Sequence, residues 1–188
     1  MKVLVIPEDP SLDQYILKPI VERLLADLGK HARVQILSRP RLRGVDQALD
    51  ADTIADIVRT YPMVDLFLIL VDRDGHPKRQ DRATALESAH HGLFVCLAIE
   101  ELEVWMLAAH RDSLSAPWSE IRREPHPKER YAHPFLAERA PKLDPGQGRA
   151  WAMRALAGKW QGVLSACEEL ETLKHRLHAW IQSPRERA

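Results

Sequence analysis

The chain has 188 residues, 45% apolar and 29% charged, and its 27 basic side chains balance 27 acidic ones. That length suits one substantial domain better than two. With no excess of positive charge there is no global field to hold a polyanion. Any nucleic-acid contact has to come from a local patch, a metal or a partner.

The two cysteines, Cys96 and Cys167, stand at no zinc-motif spacing and read as small buried hydrophobes in a reducing compartment. The opening MKVLVIPEDP meets acid after a short apolar run, unlike a signal-peptide core. No window approaches the roughly twenty apolar residues of a membrane span. A cytoplasmic protein without a membrane partner is expected, and a homo-oligomer is left open.

In chain order, KVLVI (2–6) is a β-rich run stopped by Pro7, as in a buried strand. SLDQYILKPIVERLLADLG (11–29) predicts a helix. Ser11 and Gln14 have capping-box spacing, Leu12, Ile16, Ile20, Leu24 and Leu28 mark one face, and Gly29 closes it. Pro19 is expected to kink this helix. ARVQILS (32–38) reads as a second strand and VDQALDADTIADIVRTYP (45–62) as one helix ending before Pro62. VDLFLIL (64–70) is the third strand, DRATALESAHH (81–91) a shorter helix, LFVCLAI (93–99) the fourth strand and ELEVWMLAAH (101–110) a helix.

This alternation predicts an α/β domain with a largely parallel four-stranded sheet over residues 1–110. Residues 111–148 hold six prolines and no sustained period, so they predict an irregular or briefly helical connection. Residues 149–181 are helical in pattern, with interruptions expected at Gly158 and Gly162. The segment 111–188 is expected to pack on the core as an appendage.

In a parallel sheet all carboxyl ends lie on one edge, where ligands collect. Three strands end in acid here: Glu8 and Asp9 after the first, Asp72 and Asp74 after the third, Glu100, Glu101 and Glu103 after the fourth. In an extended segment Asp72 and Asp74 point to one side. Clustered carboxylates without a cation repel and raise one another's pKa. A hard divalent ion resolves this, since Mg²⁺ takes oxygen ligands and two or three carboxylates suffice.

Strand–Glu followed, after a strand–helix unit, by strand–Asp-x-Asp resembles the Toprim domain shared by topoisomerases, primases and OLD-type nucleases. AIEELEVWMLA (98–108), HPKER (126–130) and GVLSACEELETLKHRLHAWI (162–181) resemble a compact Toprim-like family related to the RloB proteins of bacterial defence loci. The resemblance implies a Toprim-like, Rossmann-like fold and an Mg²⁺- or Mn²⁺-dependent nuclease. It makes Glu8 the Toprim glutamate, a general acid/base or metal-linked group, and Asp72 and Asp74 the metal-binding pair. Glu100 and Glu103 match acids that contact a second metal in nuclease relatives. OLD-type nucleases work beside an ABC-type ATPase, so such a partner is implied, as is phage defence. Two departures stand out: Glu8 precedes Asp9 and Pro10 where the family has glycine, and the chain lacks a separate DNA-gripping domain.

Each motif has a plainer reading. Acids in PEDPS favour a helix N-terminus, with Asp9 or Ser11 as cap. VDRDGH suits an Asx-turn, although the terminal acid of an EF-hand loop is absent. Glu101 reads as an acid at a helix start, because only Glu100 and Glu103 share a helical face. Trp105 reads as core. His76, Lys78 and Arg79 stand beside the aspartates, Arg39, Arg41 and Arg43 follow the second strand, and Lys128 and Arg130 lie in HPKER. Arg41, Arg43, His76, Lys78 and Lys128 are the candidates for phosphate or nucleic-acid contact, and solvated surface is their alternative. AGKW lacks the glycine spacing and hydroxyl of a phosphate loop, and no dinucleotide fingerprint or G-x-S-x-G occurs. A non-catalytic partner of an ATPase is the second functional reading. A receiver-like switch is a third, though no strand-end lysine is visible for it.

Overall fold

The four apolar runs form strands β1 (Lys2–Ile6), β2 (Arg33–Ile36), β3 (Leu66–Asp72) and β4 (Leu93–Ala98) in the computed structural model, which describes residues 1–183. Helices α1 (Gln14–Asp27), α2 (Val45–Ala48), α3 (Ala51–Thr60), α4 (Lys78–Ala89) and α5 (Glu103–Ala108) alternate with them. Beyond come α6 (Trp118–Ile121), a π-helical turn (Lys128–Ala132), α7 (His133–Arg139), α8 (Arg149–Met153), α9 (Leu156–Ala166) and α10 (Glu168–Gln182).

All strands pair in parallel, in the order β2-β1-β3-β4. Alternate residues of a strand point to opposite faces, and the apolar residues obey that period. Val3, Val5, Leu66, Leu68, Leu70 and Cys96 enter one cluster with α1, α5, α9 and α10. Leu4, Ile6, Phe67, Ile69, Val71 and Val95 enter a second cluster with α2, α3 and α4. The sheet is therefore the middle of three layers, and the C-terminal helices share a core with α1. Cys96 and Cys167 are buried free thiols, and burial pushes both pKa values up. Trp105 is fully buried, with its indole N–H donating to Glu169 at 2.9 Å.

Local chemistry accounts for most boundaries, and four details depart from expectation. Gly29, at φ 69°, ends α1: its amide bonds Ala26 O at 3.0 Å and that of Lys30 bonds Leu25 O at 2.9 Å. The capping box of Ser11 and Gln14 does not form, because the Asp9 carboxylate takes both the Ser11 amide and its hydroxyl in an Asx-turn. α1 runs unbroken across Pro19. The single helix expected over 45–62 is two. Asp50 adopts an extended conformation and accepts the Thr53 amide at 2.9 Å and its hydroxyl at 2.7 Å, capping α3. Asp50→Ala is expected to cost about 1 kcal/mol, read as a lower urea midpoint at unchanged m-value. Gly158 and Gly162 do not interrupt α9; burial of Leu156, Trp160, Val163 and Leu164 holds it, and the break falls at Cys167.

The strand order decides where a site can form. The chain steps from β1 to β2 on one side, then places β3 on the other side of β1. Connections leaving β1 and β3 diverge there and open a crevice at the carboxyl edge. Ile6 is level with Ile69, and Asp72 is level with Ala98, so Glu8 and Asp72 follow adjacent strands into that crevice. Among the described residues, no helix is long and apolar enough to cross a membrane.

Candidate metal centre

β3 ends on Asp72, which is 7% exposed and accepts the Leu102 amide on Oδ1 at 2.7 Å. The Arg73 amide reaches the carbonyls of Ala98 and Glu100, both at 3.0 Å, and the Asp74 amide reaches Glu100 O at 3.2 Å. These bonds fold the ends of β3 and β4 against each other. Asp74 is not extended; it sits at φ 47°, a left-handed conformation that aspartate tolerates, with Gly75 following at φ 63°. The aspartates converge through this turn rather than through strand alternation. As a result, oxygens of Asp72, Asp74 and Glu101 lie within 4.8 Å of one another.

The charge density around this set is high. Burial pushes the Asp72 pKa up to about 9, with Glu8, Glu103 and Asp13 adding repulsion that the Leu102 amide only partly offsets. Burial also raises Asp13 to about 7, despite its hydrogen bond from the Asp9 amide at 3.0 Å, and Glu103, Glu8 and Asp9 push the same way. Glu8 is half-buried and raised by burial and by Asp74, while Lys128 and Arg79 oppose them. Glu8 thus feels Asp74, Glu103, Lys128 and Arg79, which places it electrostatically in one cluster with the aspartates.

Cations line the same edge. Arg79 donates to Asp74 Oδ2 at 2.6 Å and to the Asp72 carbonyl at 2.8 Å. The Lys128 ammonium stands 3.7 Å from Glu103. Burial alone would lower its pKa, but Glu103, Asp72 and Asp13 outweigh burial and raise it.

Two acids expected as ligands are committed elsewhere. Glu100 is paired with the Arg73 guanidinium and also accepts the Gly75 amide, which hold its pKa down. Glu103, 2% exposed, is bound to the fully buried Arg149 at 2.6 Å. Neither belongs to the three-carboxylate set, although the Glu103 charge acts on it. The acid that joins the aspartates is Glu101. Helix α5 begins at Glu103, so Glu100 and Glu101 precede it and the expected shared helical face does not exist.

Of the cationic candidates, Lys128 lies in the cluster. Arg41 is exposed, and its charge lowers the Asp9 pKa against the effect of burial, alongside the Ser11 bonds. Arg43 is exposed with its amide on Gln47 Oε1 at 2.8 Å, and His76 and Lys78 are exposed around the start of α4. Asp13 and Arg79 complete the site. Arg79 had a signal in its position after the aspartates, whereas Asp13 had none beyond its place near a helix start.

An oxygen-only donor set suits Mg²⁺ or Mn²⁺. Bonds of about 2.1 Å put octahedral ligand oxygens roughly 3 to 4.2 Å apart, so the observed spacing needs only small side-chain adjustments. No protein-family model matches this chain significantly, and neither does any curated protein or solved structure.

Proposed function

We propose that this chain is a divalent-cation-dependent phosphodiesterase of Toprim-like plan that cleaves DNA or RNA, in phage defence beside an ABC-type ATPase. One observation carries the reading: three carboxylates converge within 4.8 Å at the carboxyl edge of a parallel sheet, beside its switch point. Asp72, Asp74 and Glu101 would hold the ion. A divalent cation in such a site supplies Lewis acidity toward a phosphoryl oxygen and lowers the pKa of water.

The remaining roles belong to the chain itself. Glu8, with its raised pKa and half-buried position, is suited to take a proton at the reacting centre. Arg79 and Lys128 set positive charge where an anionic ester would approach. Arg41, Arg43, His76 and Lys78 are exposed cations for the flanking nucleic-acid backbone.

With Mg²⁺ or Mn²⁺ the purified protein is expected to cut plasmid, single-stranded DNA or tRNA. Asp74→Asn is expected to lower that rate by about a hundredfold or more. The balanced charge of 27 against 27 favours a second reading, a non-catalytic partner of the ATPase. Cation binding without cleavage of any substrate, alone or with the cognate ATPase, would select it and remove the catalytic one.

A further inference from the structure

We infer that the cleft between segment 113–115 and α7 binds a backbone phosphate of a nucleic-acid strand, held by Arg130, Arg139 and the Ser115 hydroxyl. The inference rests on the nucleic-acid reading above and names where the strand is gripped. The cleft holds about 340 Å³, and its lining includes Ser115, Arg130, Tyr131, Phe135, Glu138 and Arg139.

Both guanidinium groups lie on aromatic faces. Arg130 Cζ stands 5.8 Å from the Tyr131 ring centre, and Arg139 Cζ stands 5.4 Å from that of Phe135. The rings are a firm floor, since Tyr131 is 9% exposed and Phe135 7%, and the Tyr131 hydroxyl donates to Glu120 at 2.6 Å. Stacking fixes the plane of a guanidinium and leaves the N–H groups at its edge for a planar, forked contact. Those donors are largely unspent. Arg130 gives one nitrogen to Glu124 at 3.0 Å. Among the described residues, Arg139 has an ion contact with Glu138 at 3.8 Å, beyond hydrogen-bond reach, and the Ser115 hydroxyl makes no hydrogen bond. Two like charges lining one cleft repel, and an anion between them reverses the sign. Phosphate oxygens accept forked contacts from arginine, and a hydroxyl is a common third donor to them.

The position of the cleft favours a strand over a free anion. Arg130 stands two residues after Lys128 in the same π-helical turn. The Lys128 amide is held by Glu101 Oε2 at 2.7 Å, and its ammonium stands 3.7 Å from Glu103. One short turn thus runs from the carboxylate centre to the cleft, so a strand crossing the first reaches the second. Glu138, the acid in the lining, is exposed and partly offsets the cations until a phosphate replaces it.

Fluorescence anisotropy of labelled DNA and RNA oligonucleotides, single-stranded and duplex, tests it with the full chain in EDTA across a range of salt. Wild type is expected to bind, with log K falling linearly against log salt. Arg130→Gln and Arg139→Gln should each weaken binding about tenfold and flatten the slope by about 0.7 on a single strand or 0.9 on a duplex. Arg139→Lys keeps the charge, so it should restore the slope but only part of the affinity. Glu138→Gln should tighten binding about threefold. Arg59→Gln, on α3, should change neither quantity. All these side chains are exposed, so the variants should fold, which circular dichroism checks. If Arg130→Gln and Arg139→Gln lose no more than Arg59→Gln, the inference is overturned and the nucleic-acid reading stands. Failure of wild type to bind any of the four probes overturns both.

Discussion

Asp72→Asn is expected to raise the melting temperature of the metal-free protein at pH 8 and to erase its response to Mg²⁺ or Mn²⁺. The cause is the proton that native Asp72 retains. Its pKa rises from 3.8 to about 9 on folding, so between those values the native state holds a proton that the unfolded chain has released. Stability therefore falls as pH rises through this window, and Asp13 adds to the slope up to about pH 7. Asparagine keeps an acceptor for the Leu102 amide, carries no charge and can donate to a neighbouring carboxylate. The gain should be on the order of 3 kcal/mol at pH 8, roughly 6–12 °C for a chain of this size, and smaller at pH 5. Wild type should recover the difference when a cation is added, since an ion at a hundred times its Kd contributes about 2.7 kcal/mol. Scanning calorimetry at pH 5 and pH 8, with and without Mg²⁺, reads all four values. A variant that melts below wild type at pH 8 without metal, or that still responds to the ion, would remove Asp72 from the centre.

That the acids meet at one edge was legible because it needs only strand periodicity and parallel pairing. The β-rich runs at 2–6, 64–70 and 93–99 each carry enough apolar density to be strands buried on both faces, and β1, β3 and β4 form there. The side-chain identities at the site were harder. Choosing between Glu100 and Glu101 depends on where α5 begins, and helix starts are poorly specified by pattern alone. The helix starts at Glu103, so Glu100 and Glu103 share no helical face, and it is the Glu101 carboxylate that lies beside the aspartates. Asp13 and Arg149 are buried by tertiary packing around α1, α5 and α8, and nothing local distinguishes them from surface charges. The break at Asp50 was readable in principle, since Asp50 and Thr53 have the spacing of a side-chain cap, but the apolar period across it hid the signal.

Arg149→Met is expected to destabilise the protein by about 3–5 kcal/mol, the largest loss among these variants. Arg149 has no exposed surface, bonds Glu103 at 2.6 Å and donates to the Gly146 carbonyl at 3.2 Å. Its removal leaves a carboxylate at 2% exposure with only Lys128, 3.7 Å away, to balance it. Replacing both partners, as Arg149→Met with Glu103→Leu, should recover most of the loss, because an unpaired buried charge costs more than the pair contributes. The same pair bears on the metal centre. If Glu103 were a ligand, Glu103→Gln would abolish the rise in melting temperature caused by Mg²⁺. With Glu103 committed to Arg149, the rise should persist. Its pH threshold should also move downward, because Glu103 helps to raise the pKa values of Asp72, Asp13 and Glu8. Loss of that repulsion lets those carboxylates ionise at lower pH, and ionised carboxylates are what a cation binds. Metal-dependent melting of Glu103→Gln across pH 5 to 9 distinguishes the outcomes: a lost response makes Glu103 a ligand, and a response shifted to lower pH makes it a neighbouring charge.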